Sequence, residues 1–250
     1  MMLLVDLGNT RIKWAVLADS FDHFSHKGNA KNTDCLSKQA LPLEIDRVVI
    51  SSVASRNLLE NHLDNIFHHW GCVAEVIEVT ESFNDLKNRY NDIPALGVDR
   101  WVAAVGAHSL YAGDNIIIID AGTATTVDIV NKNSEFLGGV IMPGIQLMRR
   151  SLIGNTAQIR PQTDKNSPLI GRNTQECVSS GVRLGLSGGV DRVVGAFKKE
   201  LSCNMGDDCS LKILICGGDA QWLMSASSLD FEYTSDLIFN GLKALTCKNI

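Results

Sequence analysis

Asp6, Gly8, Asn9, Thr10 and Lys13, in the stretch VDLGNTRIK, are residue types whose spacing suits phosphate chemistry. Glycine lets a backbone approach a ligand closely, and successive turn N–H groups beside a threonine hydroxyl form a concave anion site. Lysine adds a point charge. A carboxylate next to such a cradle repels bare phosphate, so Asp6 fits there when a cation lies between the two. The implied ligand is a metal-bound polyphosphate. Asp-x-Gly alone is an ordinary turn, but the pattern recurs. LLVDLGNTRIKWAVL (3–17) is echoed by IIIIDAGTATTVDIV (116–130), so that Asp6 aligns with Asp120, Gly8 with Gly122 and Val16 with Val130. Such repetition points to two similar domains facing each other across a nucleotide cleft.

A third carboxylate, Asp99, lies in GVDRWVAAVGAHSLYAG (97–113). From Val98 the spacing of Trp101, Val102 and Val105 is helical, which puts Asp99 and Arg100 in a first turn. There the helix dipole stabilises an acid. The same position also suits an acid that merely favours a helix start.

The elements that must hold these residues alternate strand and helix. Each Asp-x-Gly motif forms the mouth of a hairpin, the first with Ile12, Trp14 and Val16 on one face and Lys13, Ala15 and Leu17 on the other. Residues 18–42 are weakly patterned and accommodate a third strand and a short helix. Arg47–Val53 reads as a buried strand. A helix from Ser55 is expected to bury Leu58, Leu59, Leu63, Ile66, Phe67 and Trp70 and to end at Gly71, with His62, His68 and His69 at the surface. Val73–Val79 reads as another strand, and Glu81–Pro94 as a polar connection carrying Tyr90. After the Asp120 hairpin come a strand (Glu135–Met142) and a helix beyond Pro143-Gly144 with Ile145, Met148 and Leu152 on one face. Gly138, Gly139 and Gly144 either admit a ligand or allow tight packing. Residues 154–171 show little periodicity, and loops of that length are uncommon unless functional or mobile. Asn173 and Glu176 have capping-box spacing. Gly181, Gly185 and Gly189 form a smooth stripe, inside the fold or at a subunit interface. The strand Leu211–Cys216 meets Gly217-Gly218, which either approaches an adenosine or forms a plain strand–helix junction. A helix from about Asp236 to Leu245 ends the chain. The order is α/β.

The 250 residues are enough for a real core, 45% of them are hydrophobic, and the net charge of -5 argues against a nucleic-acid surface. No apolar run reaches membrane-spanning length, and Asp6 interrupts the N-terminal apolar stretch, so neither a membrane nor a signal segment is expected. Seven cysteines without a C-x-x-C pair read as reduced thiols of a cytoplasmic protein.

Five motifs occur in order: Asp6-x-Gly8-Asn9-Thr10-x-x-Lys13, Gly97-Val98-Asp99-Arg100, Asp120-Ala121-Gly122-Thr123-Ala124, Gly138-Gly139-x-x-x-Pro143-Gly144 and Gly171-Arg172-Asn173-Thr174. Together they resemble a type III pantothenate kinase of the acetate and sugar kinase, Hsp70 and actin superfamily. The resemblance spans nearly the whole chain. It implies two similar actin-like (ribonuclease H-like) domains, here 1–114 and 115–250, flanking a nucleotide cleft in a homodimer. It also implies ATP-dependent phosphorylation of pantothenate, the first step of coenzyme A synthesis. Carried over by position, Asp6, Leu7, Gly8, Asn9, Thr10, Arg11, Ile12, Lys13 and Thr123 would bind ATP, with Asp6 on Mg²⁺ directly or through water. Asp99 would accept the proton, and Tyr90, Gly97, Val98, Asp99, Arg100 and Thr174 would contact pantothenate. Asp120 would hold a monovalent cation, K⁺ or NH₄⁺. The alternatives are another kinase of the superfamily and a nucleotide-binding transcriptional accessory protein without kinase activity.

Overall fold

The computed structural model describes residues 1–18, 23–154, 168–203 and 210–247. The chain divides into two units, and their boundaries do not follow chain order. Unit 1 holds β1 (Met2–Leu7), β2 (Arg11–Leu17), β3 (Phe24–Lys31), β4 (Arg47–Ser52), α1 (Arg56–Trp70), β5 (Glu75–Val76), β6 (Ser82–Phe83), β7 (Leu86–Asn88) and α2 (Val98–Leu110). Unit 2 holds β8 (Asn115–Ala121), β9 (Ala124–Asn131), most of β10 (Glu135–Pro143), α3 (Ile145–Gly154), α4 (Thr174–Cys203), β11 (Leu211–Cys216), α5 (Ala220–Ala226) and β12 (Glu232–Tyr233). The last helix, α6 (Leu237–Thr246), groups with unit 1, as do Ser134–Phe136.

In unit 1 the strand order is β3-β2-β1-β4-β5, antiparallel across β1–β2 and parallel across β1–β4. Side chains alternate between the faces of a strand. Leu3, Val5, Leu7, Ile12, Trp14 and Val16 accordingly share one buried cluster with Ile66 of α1. The helices α2 and α6 pack on each other and against β1 and β4. Two glycines allow that close approach. A side chain at Gly106 would overlap the Leu237 carbonyl, and one at Gly241 would overlap the Val102 carbonyl. This is why a helix that follows unit 2 in the chain groups with unit 1.

Unit 2 has the order β12-β11-β8-β9-β10, with Ile117, Ile119, Val127, Ile129 and Ile215 buried against Leu186, Val190 and Val194 of α4. The two Asp-x-Gly hairpins differ in register. Asp6 stands opposite Lys13, seven residues on. Asp120 stands opposite Thr126, six residues on. The second tip is one residue shorter, so the structural counterpart of Val16 is Ile129, not Val130.

Other readings need correction. His62 is buried, 4% exposed, because it lies three residues after Leu59 and four before Ile66, on the inward stripe of α1. Phe67 falls off that stripe and is 53% exposed. The strand expected over Val73–Val79 shrinks to Glu75–Val76, and Val73 is exposed. The connection Glu81–Pro94 contains the β6–β7 hairpin, which buries Phe83 and Leu86. Of the glycine stripe on α4, a side chain at Gly185 would touch Met148 and one at Gly189 would touch Met142, whereas Gly181 faces open space. Most of the long 154–171 segment lies outside the described residues.

Candidate functional site

The first loop is anchored at both ends by core residues. Leu7 and Ile12 are fully buried, which leaves Asn9, Thr10 and Arg11 exposed at the tip. The Gly8 N–H donates to the Arg11 carbonyl at 2.9 Å and closes the turn. Asp6 sits at the C-terminal end of β1, 9% exposed. Lys13 Nζ lies 3.6 Å from its Oδ2, a contact dictated by their cross-strand pairing. Lys13 thus counters Asp6 directly. The sequence reading missed Ser51 of β4, which pairs with Asp6 across the parallel ladder. Ser51 is 1% exposed, and its Oγ has no hydrogen-bond partner among the described residues. A small serine inside RVVISSV carries no signal beyond strand propensity.

Elsewhere in unit 1, Gly97 precedes α2 and Asp99 occupies its first turn. The Asp99 Oδ1 accepts the Arg100 N–H at 2.8 Å. A side chain at Gly97 would stand 2.6 Å from that oxygen, so glycine leaves the space the carboxylate occupies. Val98 and Arg100 are buried. The structure brings Arg100 and Tyr90 together, with the guanidinium carbon 5.6 Å from the ring centroid. Tyr90 is itself held by its N–H, which donates to Asn88 Oδ1 at 3.0 Å. The Asn88 amide donates in turn to the Thr80 carbonyl at 3.1 Å.

In unit 2 the Asp120 tip is closed by Gly122 N–H donating to the Ala124 carbonyl at 3.1 Å, with Thr123 exposed. Two further turns pack against it. The Gly144 N–H donates to the Thr123 carbonyl at 3.1 Å, and the Asp219 N–H donates to the Ala121 carbonyl at 2.9 Å. A side chain at Gly144 would overlap the Gly122 and Thr123 backbone, and one at Gly139 would stand 2.7 Å from Asp128 Cα. Those glycines therefore serve tight packing. Burial raises the Asp219 carboxyl above its ordinary range. Thr174 opens α4 and is exposed. Asn173 Oδ1 accepts the Glu176 N–H at 3.0 Å as a capping box requires. The reciprocal contact is shifted, since Glu176 Oε2 accepts from Arg172 N–H at 2.7 Å.

Among the described residues no three His, Cys, Asp or Glu side chains gather as a metal site. A single buried carboxylate such as Asp6 suits Mg²⁺, which takes one or two protein carboxylates and keeps several waters. No helix among the described residues is long and apolar enough to cross a membrane.

The sequence model of the type III pantothenate kinase family matches residues 2–196. The chain belongs to that family. A type III pantothenate kinase from Janthinobacterium sp. (strain Marseille) is 32% identical over 262 residues, covering 100% of this chain and 98% of the relative. Among solved structures, a Campylobacter jejuni protein described as a Baf family transcriptional activator has a TM-score of 0.57 at 21% identity, covering 96% of this chain and 95% of its own. MreB5 of Spiroplasma citri bound to AMPPNP has a TM-score of 0.50 at 11% identity, covering 98% of this chain and 95% of its own. These likenesses show an actin-like α/β fold with two sheets.

Proposed function

We propose that this chain transfers the γ-phosphoryl group of ATP to the hydroxyl of pantothenate, giving 4'-phosphopantothenate and ADP, the first step of coenzyme A biosynthesis. The family match over residues 2–196 carries this reading, and the chemistry of the three aspartates supports it. Phosphoryl transfer has a loose transition state, so a kinase chiefly positions its reactants and stabilises charge. The loop from Asp6 to Lys13 holds the β- and γ-phosphates. Asp6 would hold Mg²⁺, directly or through water, and the ion would supply neutralisation of the phosphate charge. Asp120 holds a monovalent cation, K⁺ or NH₄⁺, and Thr123 contributes its hydroxyl to ATP. A threonine opposite Asp120, where Lys13 faces Asp6, supports giving the two carboxylates different ions. Asp99 orients the attacking hydroxyl and accepts its proton late in the transfer. Tyr90, Gly97, Val98, Arg100 and Thr174 bind pantothenate.

The working form is a homodimer. Ile141 (63% exposed), Leu169 (72%), Ile170 (78%) and Leu184 (52%) support this, being large apolar residues of unit 2 left in solvent by one chain. Free thiols at the described Cys35, Cys72, Cys177, Cys216 and Cys247 support a cytoplasmic setting. The alternative of a transcriptional accessory protein is not favoured, since the likeness to the Campylobacter jejuni structure shows the fold alone. ADP release, measured with and without pantothenate in potassium and in sodium, tests the reading. A signal that needs both pantothenate and potassium is expected, and equal signals in all four mixtures would overturn it.

A further inference from the structure

Asn32, which follows β3 in the chain, meets three consecutive carbonyls of the first loop. Its side-chain amide donates to the Gly8 carbonyl at 3.2 Å and to the Asn9 carbonyl at 2.7 Å. Its main-chain N–H donates to the Thr10 carbonyl at 3.3 Å. In a planar trans peptide, C=O and the following N–H point in opposite directions. Fixing the Gly8 and Asn9 carbonyls toward Asn32 therefore turns the Asn9 and Thr10 N–H groups away from it. Those are groups that a phosphate cradle must present.

Asn32 is itself held from the core. Its carbonyl lies 2.6 Å from Nε2 of His62, so that ring nitrogen carries the donated proton. His62 is 4% exposed on α1. The chain of contacts runs from a buried histidine on α1, through one asparagine, to the tip of the loop. Nothing in the chemistry of the proposed transfer uses either side chain.

We infer that Asn32 is a positioning residue for nucleotide phosphate, and that His62 fixes Asn32 in that task. The inference rests on reading residues 6–13 as the phosphate loop. Two side-chain hydrogen bonds, each contributing modestly, set the expected size of the effect.

The test compares binding of magnesium AMPPNP by calorimetry, steady-state KM for both substrates, and thermal melting. Asn32→Ala should weaken AMPPNP binding and raise KM for ATP by about 10- to 30-fold. KM for pantothenate should stay within about twofold. Asn32→Asp, with the same shape but an acceptor facing the Gly8 and Asn9 carbonyls, should weaken nucleotide binding further. His62→Leu should reproduce part of the defect. His62→Gln, which keeps a donor at similar reach, should restore binding to within about threefold of wild type. AMPPNP binding within about threefold of wild type in Asn32→Ala would overturn the inference. So would equal losses for ATP and pantothenate. A wild-type protein that binds AMPPNP without phosphorylating pantothenate would remove the kinase reading while the binding series still decides the role of Asn32.

Discussion

Replacing Gly217 by alanine tests whether the Asp120 loop depends on the turn packed against it. Gly217 has φ +97, a conformation that costs an L-residue roughly 1–2 kcal/mol. The added Cβ would stand 2.6 Å from the Ala121 carbonyl carbon, and would overlap the Ala121 oxygen and Asp120 Oδ1. The Ala121 oxygen cannot retreat without loosening the bond it accepts from Asp219 N–H at 2.9 Å. Overpacking of this kind costs about 1–3 kcal/mol, so the sum is about 2–5 kcal/mol. For a chain of this length each kcal/mol lowers Tm by about 2–4 °C, which gives a fall of about 4–20 °C. The neighbouring Gly218 is the control, because a side chain there meets nothing within 4 Å. Gly218→Ala should change Tm by no more than about 2 °C. Scanning fluorimetry reads both variants, and ADP release should fall in Gly217→Ala because Asp120 must move. Equal melting temperatures for the two variants would refute the reasoning.

Three further outcomes are expected. Asp99→Asn should lower kcat by roughly 10²–10⁴ without changing Tm by more than a few degrees, as for loss of a general base, and near-normal turnover would remove Asp99 from that role. Asp6→Asn removes a buried carboxylate charge whose Lys13 partner is 39% exposed, so it should change stability by no more than about 1–3 kcal/mol. It should nevertheless lower kcat/KM by about 100-fold or more through loss of the magnesium contact, and an activity loss that merely tracks unfolding would contradict that assignment. Ser134 donates to Asp85 Oδ2 at 2.8 Å, and this bond holds the Asp85 carboxyl below its ordinary value, with a smaller contribution from His108. A lowered folded-state pKa contributes stability that is present above the unfolded value of about 4 and is lost as pH falls through the folded value. Ser134→Gly keeps the left-handed turn at φ 58 but removes the hydroxyl. The Tm gap between wild type and this variant should therefore shrink as pH falls from 6 toward 3, and a gap independent of pH would refute the linkage.

The legible parts of this fold were those written in short-range patterns. Asp6 and Asp120 sit between apolar alternations, so both hairpins, the Asp99 helix and the strand Leu211–Cys216 could be read from spacing alone. The one-residue difference between the hairpins was hidden because both second strands are apolar enough to tolerate a slip. The β6–β7 hairpin was missed because two- and three-residue strands show no period, and what holds it includes the pairing of β7 with β10, far along the chain. His62 has the spacing of the inward stripe of α1, but a histidine there reads as surface unless its partner is known, and that partner is a main-chain carbonyl thirty residues away. Asn32 was invisible for the same reason. The grouping of α6 with α2 depends on Gly106 meeting Gly241, two glycines that look unremarkable one at a time.

The central claim concerns where the phosphoryl group goes. Purified protein incubated with ATP, Mg²⁺, K⁺ and pantothenate, followed by mass spectrometry of the small molecules, measures this directly. One phosphorylated pantothenate for each ADP formed is the predicted result. ADP accumulating with pantothenate unmodified, or no ADP at all, would contradict it.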